Sequence, residues 1–225
     1  MLRVVLAFVL TMSALTTTSC SAGDERTPPA PTPTRNEGSN MQVTGDRDTA
    51  TLAGGCFWCV EAVFQLVDGV EKVESGYCNG QNANPTYKEV CSGTTGHAEA
   101  CRITFNPSVV SYEELLQIFF ASHDPTTLNR QGNDAGTQYR SAIFTHSENQ
   151  ATTARAYIAQ LTTSKTWPDP IVTEVTPAET FYVAEDYHQN YYNQNGSQPY
   201  CAFVVRPKVE KFKKLFNDKM RAGDK

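Results

Sequence analysis

Hydrophobic and polar positions alternate along some parts of the chain and recur every three to four residues along others. Alternation, or a short apolar run bounded by turn residues, predicts strands over residues 50–53, 70–77, 98–105, 140–145 and 171–175. The longer period predicts helices directly after Gly55 and over residues 112–122, 148–163, 185–192 and 209–220. Ser111 and Ser147 stand where the second and third of these helices need a capping side chain.

We predict one domain over residues 49–225, in which the segments between these strands and helices are loops and short elements. Residues 88–91 predict a brief helical or extended piece, and residues 124–136 have the Pro, Gly, Asn and Asp content of a long loop. No repeated segment is found in the sequence. Strands that look antiparallel and are mixed with helices predict an α+β domain built of two layers.

The turn around Cys56 is the first place where the pattern indicates chemistry. An apolar run ends in two glycines, and the next helix begins near Cys56, so its sulfur is expected close to free backbone N–H groups. Those groups and the helix dipole favour a thiolate. Phe57 and Trp58 lie beside the sulfur and can form one apolar wall. A buried structural cysteine, or one half of a disulfide with Cys59, explains the local pattern equally well.

The first 48 residues differ in composition from the rest of the chain. Residues 1–20 predict an export signal with a short apolar run, and their end resembles a bacterial lipoprotein cleavage site with Cys20 as the lipidated residue. Thr17 stands where an aliphatic residue is usual, so ordinary cleavage and release is the alternative, and a cytosolic chain is a further one. Residues 21–48 are rich in Pro, Thr and Ser and predict a disordered tether. We therefore expect a periplasmic or cell-envelope lipoprotein of a bacterium, bound to the membrane only through its anchor.

Charge and cysteine content narrow the possible partners. The net charge is −5 and no dense basic cluster occurs, which argues against nucleic acid as a partner. Seven cysteines are present, and six remain once Cys20 is set aside, so an exported domain could use them as disulfides or as redox thiols. Apart from Cys56 and Cys59, no close pair of Cys or His residues has zinc-site spacing, and we expect no metal. The four histidines are interpreted as structural, namely His97, His123, His146 and His188.

Several polar residues could act together with a cysteine. Glu99 begins a strand that otherwise looks buried, and burial raises the pKa of a carboxyl so that it can deliver a proton near neutral pH. Tyr87 and Tyr139 offer hydroxyl donors, and Asp134 could orient such a group. Each also has an ordinary interpretation, as a solvated glutamate, a packing tyrosine or a turn aspartate.

Motifs spread over residues 50–207 resemble those of the peptide methionine sulfoxide reductase A family, and they occur in that family's order. They are Gly55-Cys56-Phe57-Trp58, Asn84-Pro85-Thr86-Tyr87, Thr95-Gly96-His97-Ala98-Glu99, His123-Asp124-Pro125, Arg130-Gln131-Gly132-Asn133-Asp134, Gly136-Thr137-Gln138-Tyr139-Arg140-Ser141 and Ala184-Glu185-Asp186-Tyr187-His188-Gln189. The resemblance implies a two-layer α/β sandwich with a ferredoxin-like core. It also implies reduction of methionine (S)-sulfoxide, free or within proteins, without metal or organic cofactor. A thioredoxin-type thiol would be the external reductant, and we expect a monomer.

The same resemblance assigns roles to the residues that match its motifs. Cys56 would attack the sulfoxide sulfur, and Phe57 and Trp58 would hold the substrate's methyl group. Glu99 would protonate the sulfoxide oxygen, which is a poor leaving group until it is protonated. Two tyrosines would donate hydrogen bonds to that oxygen and one aspartate would join the polar network around it: Tyr87, Tyr139 and Asp134.

Attack by Cys56 would leave a sulfenic acid, which condenses with a second thiol to give a disulfide. Cys201 resembles the recycling cysteine of the family and is our preferred resolving residue, with Cys59 as the second choice. Many members of the family carry glycine at the position of Cys59. The other cysteines have no role in the motifs and are expected to be buried thiols, namely Cys78, Cys91 and Cys101.

Two other functions remain open from the sequence. A thiol–disulfide oxidoreductase could use Cys56 and Cys59 as its reactive pair, although no thioredoxin-like βαβ segment precedes them. A lipid-anchored binding or structural domain could instead hold its six body cysteines in disulfides. In that case Cys56→Ser would reduce stability rather than turnover.

Overall fold

A computed structural model describes residues 47–224 of the chain. The predicted export signal, the lipidation site Cys20 and residues 21–46 of the predicted tether lie outside the described residues. Asp48, the last residue of the predicted tether, already belongs to the first strand. Within residues 47–224, no helix is long and apolar enough to cross a bilayer.

The described part of the chain contains eight strands and six α-helices. The strands are β1 (Asp48–Gly54), β2 (Val70–Cys78), β3 (Ala98–Phe105), β4 (Arg130–Gln131), β5 (Asp134–Ala135), β6 (Ser141–Thr145), β7 (Glu174–Pro177) and β8 (Tyr182–Val183). The helices are α1 (Phe57–Phe64), α2 (Tyr87–Cys91), α3 (Tyr112–Ser122), α4 (Glu148–Thr163), α5 (Tyr191–Asn195) and α6 (Arg206–Leu215). Ser111 and Ser147 accept hydrogen bonds from the backbone at the starts of α3 and α4, as predicted.

The central sheet has the strand order β7-β6-β1-β3-β2-β8. Its middle four strands form the sequence β1-α1-β2-β3-α3-β6 in the spatial order β6-β1-β3-β2, and every neighbouring pair among them is antiparallel. This is the split βαβ arrangement of a ferredoxin-like core, and the predicted fold is confirmed. β7 extends one edge in parallel with β6, and β8 extends the other edge.

The two faces of the sheet carry different side chains. One face, including Leu52, Ile103 and Ile143, packs with the helices into one large buried cluster. The opposite face carries small residues beside Phe144, and Phe181 covers part of it. Because side chains alternate along a strand, Glu99 at the start of β3 points to the helical face together with Ile103. The strand period therefore brings a carboxyl under α1.

The prediction of one continuous helix over residues 185–192 is wrong. Asp186–His188 form one 3₁₀ turn, and Asn190 adopts a left-handed conformation (φ 54°) before α5 begins. The carboxylate of Glu61 in α1 accepts the N–H groups of Asn190 and Tyr191 at 2.8 and 3.2 Å. These long-range hydrogen bonds outweigh the local helical preference of the segment.

Other element boundaries in the structure also differ from those predicted. The strand predicted over residues 171–175 begins only at Glu174, and the predicted long loop contains the small β4-β5 hairpin. The last helix begins at Arg206, after a π-helical turn over Cys201–Val205. Pro207 cannot donate a backbone hydrogen bond and crowds the preceding turn, which favours the wider π geometry there.

Candidate active site

A tight turn holds Cys56 at the start of α1. Gly55 has φ +86°, and a Cβ atom on it would lie 2.6 Å from the side chain of Gln131. Only glycine accepts both the left-handed backbone and this close approach. Gln131 of β4 lies against this turn, and its side-chain amide is fixed by the backbone of Asp124 at 3.0 and 3.1 Å. The same hairpin carries Asp134, which accepts a hydrogen bond from Tyr200 and whose charge acts on Cys59.

Cys56 is buried, with 7% of its surface exposed. Burial raises the pKa of the Cys56 thiol well above its ordinary value, and a hydrogen bond with Cys59 and the charge of Glu99 raise it further. Tyr200 opposes this with a hydrogen bond to the sulfur. The thiolate predicted from the helix N-terminus is therefore not the resting form of Cys56. The free-energy cost of burying the ion exceeds its stabilisation by the first turn of α1.

Cys59 lies one turn along α1 and its thiol is hydrogen-bonded to Cys56. That hydrogen bond lowers the pKa of Cys59, burial opposes the shift, and the positive charge of Lys208 lowers it further. Cys201 is fully buried in the π-helical turn, which packs against α1, and the charge of Cys59 acts on it. The three thiols therefore lie in one region with Cys59 in contact with Cys56.

Glu99 has 1% of its surface exposed and accepts the backbone N–H of Phe57 at 3.1 Å. Burial raises the pKa of its carboxyl to about 8, the hydrogen bond from Phe57 opposes this, and the negative charges of Asp134 and Cys59 add to it. At neutral pH the group is therefore a carboxylic acid, as its place in the strand pattern predicted. It can donate a proton next to the sulfur of Cys56.

Tyr87 and Tyr139 are half-buried beside Glu99. Burial and the nearby charge of Glu99 raise the pKa of both phenols, and the hydroxyl of Tyr87 also has a hydrogen bond with Cys91. Both phenols therefore remain protonated hydrogen-bond donors at neutral pH. The two predicted tyrosines and the predicted acid lie together.

Tyr200 is a member of the site that the sequence analysis missed. Its hydroxyl donates to Asp134 at 2.5 Å and also has a hydrogen bond with Cys56. Its ring meets the edge of Trp58 at a centroid distance of 5.7 Å. Its position directly before Cys201 was the available signal, because that turn had to lie near the other cysteines.

Trp58 is fixed by contacts with Tyr200, His188 and Tyr191. Its indole N–H donates to Nδ1 of His188 at 3.2 Å, and its ring stacks on Tyr191 with centroids 3.7 Å apart. His188 is buried, and Nε2 lies 4.0 Å from the carboxylate of Glu185. The acidic group near His188 is thus Glu185, and His188 positions the aromatic wall. Phe57 itself is buried and faces His188 at a centroid distance of 5.0 Å.

The cysteines without a motif role differ in exposure. Cys78 and Cys101 are buried, and Cys101 donates to the carbonyl of Phe57 at 3.4 Å. The prediction of a buried thiol is wrong for Cys91, which is exposed on α2 and has a hydrogen bond with Tyr87. Among residues 47–224, no group of three or more His, Cys, Asp or Glu side chains is arranged to hold a metal ion.

The site thus combines a buried thiol, a buried acid, two phenol donors and an aromatic wall. A polarised oxygen placed between the acid and the phenols would receive a proton from one side and hydrogen bonds from the others. An electrophilic atom attached to that oxygen would then face the sulfur of Cys56. This geometry is that of a nucleophilic thiol working together with a general acid.

Comparisons with known proteins agree with this chemistry. Residues 48–220 match the family described as Peptide methionine sulfoxide reductase. A peptide methionine sulfoxide reductase MsrA of Deinococcus radiodurans is 58% identical over 175 residues, which cover 78% of this chain and 85% of that relative. One from Trichodesmium erythraeum is 53% identical over 175 residues, or 78% of this chain and 99% of the relative.

Solved structures show the same fold. Mxr1 from Saccharomyces cerevisiae in its reduced form is similar with a TM-score of 0.64 and 35% identity over 69% of this chain and 90% of that one. Methionine sulfoxide reductase A of Corynebacterium diphtheriae is similar with a TM-score of 0.60 and 36% identity, covering 68% and 77% of the two chains. The thiol–disulfide oxidoreductase and the non-enzymatic domain are not favoured. The chain belongs to the peptide methionine sulfoxide reductase family and is an enzyme that reduces methionine sulfoxide.

Proposed function

We propose that the enzyme reduces the (S)-sulfoxide of methionine, free or within oxidised proteins, with Cys56 as nucleophile and Glu99 as acid. The observation that carries this proposal is the buried carboxyl of Glu99, which accepts the backbone N–H of Phe57, the residue next to Cys56. Burial raises the pKa of this carboxyl to about 8, so that it can deliver a proton at neutral pH. A sulfoxide needs such a proton at its oxygen while its sulfur is attacked. The partly exposed ring of Trp58 offers an apolar surface for the methyl group of the substrate.

The first step uses groups that are neutral before substrate binds. The sulfoxide oxygen accepts hydrogen bonds from Tyr87 and Tyr139 and the proton of Glu99. The positive sulfur of the substrate then lies against Cys56 and favours loss of the thiol proton, because an adjacent positive charge lowers a thiol pKa. The Cys56 sulfur forms a bond with the substrate sulfur, and the S–O bond of the protonated sulfoxide breaks. The oxygen then bonds to the Cys56 sulfur, the S–S bond breaks, and methionine leaves with the electron pair while Cys56 remains as a sulfenic acid. The thiol supplies both electrons, so the step needs no cofactor.

We propose Cys59 as the resolving thiol, in place of our first preference for Cys201. Its sulfur is hydrogen-bonded to Cys56, and its pKa is lowered while that of Cys56 is raised. Cys201 adjoins Cys59 and can take over the disulfide in a second exchange. An external thioredoxin-type dithiol would then reduce the enzyme.

Mass spectrometry after one turnover without reductant tests this order. Wild type should release one methionine and form a disulfide that contains Cys59. Cys201→Ser should still form the Cys56–Cys59 disulfide at the wild-type rate, whereas Cys59→Ser should accumulate the sulfenic acid of Cys56. A first disulfide between Cys56 and Cys201 that forms normally in Cys59→Ser would refute the assignment.

The place of action is a separate proposal that rests on the sequence of residues 1–48. An apolar signal that ends at Cys20, followed by a Pro/Thr-rich tether, supports a lipid-anchored enzyme that repairs oxidised proteins of the cell envelope. Metabolic labelling with a palmitate analogue should mark wild type and leave Cys20→Ala unlabelled. Recovery of unlabelled wild type from the cytosol would contradict it.

A further inference from the structure

The carboxylate of Glu185 joins separate parts of the fold behind the aromatic wall. β8 pairs with β2, and the N–H of Ala184 donates to the carbonyl of Ser75 at 2.9 Å, so the next residue lies beside the end of β2. One oxygen of Glu185 accepts the hydroxyl of Tyr77 at 2.8 Å, and the other accepts the backbone N–H of Tyr87 at 2.9 Å. The carboxylate therefore ties the central sheet to the start of α2.

Glu185 is ionised while its two donors keep their protons. Burial opposes its ionisation, but the hydrogen bonds from Tyr87, from its own backbone and from Tyr77 together lower the pKa of its carboxyl. Burial and the hydrogen bond to Glu185 raise the pKa of the Tyr77 phenol, so its hydroxyl stays the donor. Because Tyr77 is fully buried, loss of the carboxylate would leave its hydroxyl without an acceptor.

The backbone N–H that Glu185 accepts belongs to a residue whose phenol lies in the active site. Tyr87 is the first residue of α2, which is only five residues long. So short a helix has little stability of its own, and its position depends on its contacts. Tyr77, the other donor, is the register partner of Glu99 in the β2–β3 pair. Glu185 therefore links the phenol of Tyr87 to the strands that carry the acid.

The same carboxylate faces His188, which holds the ring of Trp58. Burial lowers the pKa of His188, so the ring is neutral at neutral pH. Nδ1 accepts the indole N–H of Trp58 at 3.2 Å, and the proton of the neutral ring is therefore on Nε2. Nε2 is buried without a hydrogen-bond partner in the part of the chain that the structure describes, and it lies 4.0 Å from an oxygen of Glu185. The negative charge of Glu185 favours this tautomer, which leaves Nδ1 free to accept.

We propose that Glu185 is a positioning residue for the first step: its carboxylate holds the Tyr87 phenol and, through His188, the Trp58 ring in place relative to Glu99. This inference rests on the proposed function, in which Tyr87 donates to the sulfoxide oxygen and Trp58 receives the methyl group. The phenol stabilises charge on the oxygen as the S–O bond breaks, whereas the indole ring contacts the substrate already in the bound state. Loss of Glu185 should therefore lower the maximal rate through Tyr87 and weaken substrate binding through Trp58.

Glu185→Gln tests the proposal in single turnovers without reductant, in which methionine release is followed as the sulfoxide concentration is varied. Glutamine keeps the length of the side chain but has no charge and only one acceptor oxygen for two donors. The maximal rate of methionine release should fall about 10- to 100-fold, since a misplacement of about 1 Å can cost 10²-fold. The half-saturating sulfoxide concentration should rise as well.

Double-mutant cycles separate positioning from a general loss of structure. Tyr87→Phe removes the hydroxyl and keeps the N–H that Glu185 accepts, so adding Glu185→Gln to it should cause no further loss of maximal rate. In the same way, Glu185→Gln in a Trp58→Phe background should cause no further rise in the half-saturating concentration. A structural role alone would give the same losses in every background.

Two variants control for other contributions. Glu89→Gln changes an exposed carboxylate at the start of α2 that accepts the N–H of Thr86, a bond that glutamine can keep. Tyr77→Phe removes the other donor to Glu185 and keeps the aromatic ring. Both should release methionine at the wild-type rate. Glu185→Asp, which keeps the charge on a shorter side chain, is the second variant if Glu185→Gln fails to fold, and it should also lower the maximal rate.

Two results distinguish the possible failures. A folded Glu185→Gln with the wild-type maximal rate and half-saturating concentration, or with losses undiminished in the Tyr87→Phe and Trp58→Phe backgrounds, would overturn the positioning role and leave the proposed function intact. Methionine release at the wild-type rate by Tyr87→Phe would overturn the donor role of Tyr87 in the proposed function, and with it the part of Glu185 that acts through Tyr87.

Discussion

Glu99→Gln should stabilise the fold while it slows the reaction. The carboxyl of Glu99 has 1% exposure, and burial raises its pKa from an ordinary value of 4.5 to about 8. Glutamine has nearly the same shape, carries no charge, and its carbonyl oxygen can still accept the N–H of Phe57. The substitution therefore removes the free-energy cost of protonating the carboxyl on folding and keeps the hydrogen bond of the native side chain.

The sign of the pH dependence follows from proton linkage. Between pH 4.5 and 8 the unfolded chain has released the Glu99 proton and the folded protein still holds it, so wild-type stability falls as pH rises. Each pH unit in this window is worth about 1.4 kcal/mol. Summed over the curve from pH 5 to pH 8, the variant should gain about 3 kcal/mol relative to wild type.

Urea unfolding of both proteins at several pH values measures this gain, since other titrating groups cancel in the difference. In thermal unfolding the extra gain at pH 8 corresponds to about 6–12 °C in Tm for a domain of this size. Glu210→Gln, on the exposed face of α6, controls for the loss of a surface charge. A Glu99→Gln gain that is the same at pH 5 and pH 8 would show that Glu99 is ionised in the folded state, and the general-acid argument would fail.

The kinetic half of the prediction uses the same variant. Without the acid, the first-turnover release of methionine should fall about 10²–10⁴-fold, the usual contribution of general acid catalysis. In wild type this rate should decline as pH rises through 8, because Glu99 loses its proton there. The rate of Glu99→Gln should not show that decline.

Two further variants test the scaffold around Cys56. Gly55→Ala should destabilise the fold by more than about 1 kcal/mol, which is the cost of a left-handed backbone alone, because its Cβ would also meet Gln131 at 2.6 Å. Gly132→Ala, at φ +59° with open space around it, is the control that measures the backbone cost alone. Urea unfolding measures both losses. Trp58→Phe keeps an aromatic ring but leaves Nδ1 of His188 without its donor, which should cost about 1–3 kcal/mol and raise KM in steady-state assays. Equal losses for the two glycine variants, or an unchanged KM for Trp58→Phe, would contradict the packing described here.

Local sequence signals were sufficient for much of the scaffold. The caps at Ser111 and Ser147, the alternating strand that carries Glu99, and the glycine turn before Cys56 each depend on contacts within a few residues. Their physics is visible in a short window of sequence. Because Glu99 begins a strand that looks buried in the sequence, a raised pKa of its carboxyl could be anticipated, although a solvated glutamate fitted the same pattern.

Features that depend on distant contacts could not be read in this way. The break at Asn190 exists because Glu61, 129 residues earlier, accepts its backbone N–H. Tyr200 enters the site because a π-helical turn packs against α1, and His188 receives a role only because Trp58 lies beside it. Such contacts are set by the tertiary fold, and local secondary-structure propensity does not predict them.

The charge of Cys56 is the clearest case of a local argument that the tertiary structure reverses. A helix start favours a thiolate, but burial raises the pKa of the Cys56 thiol well above its ordinary value and keeps the sulfur protonated. Because the thiolate is the reactive form towards oxidants and alkylating agents, the resting site protects its own nucleophile. Charge appears only when a sulfoxide brings a positive sulfur to Cys56 and an oxygen to the acid. The burial that lowers stability at Glu99 is therefore the same property that confines the reactivity of Cys56 to its substrate.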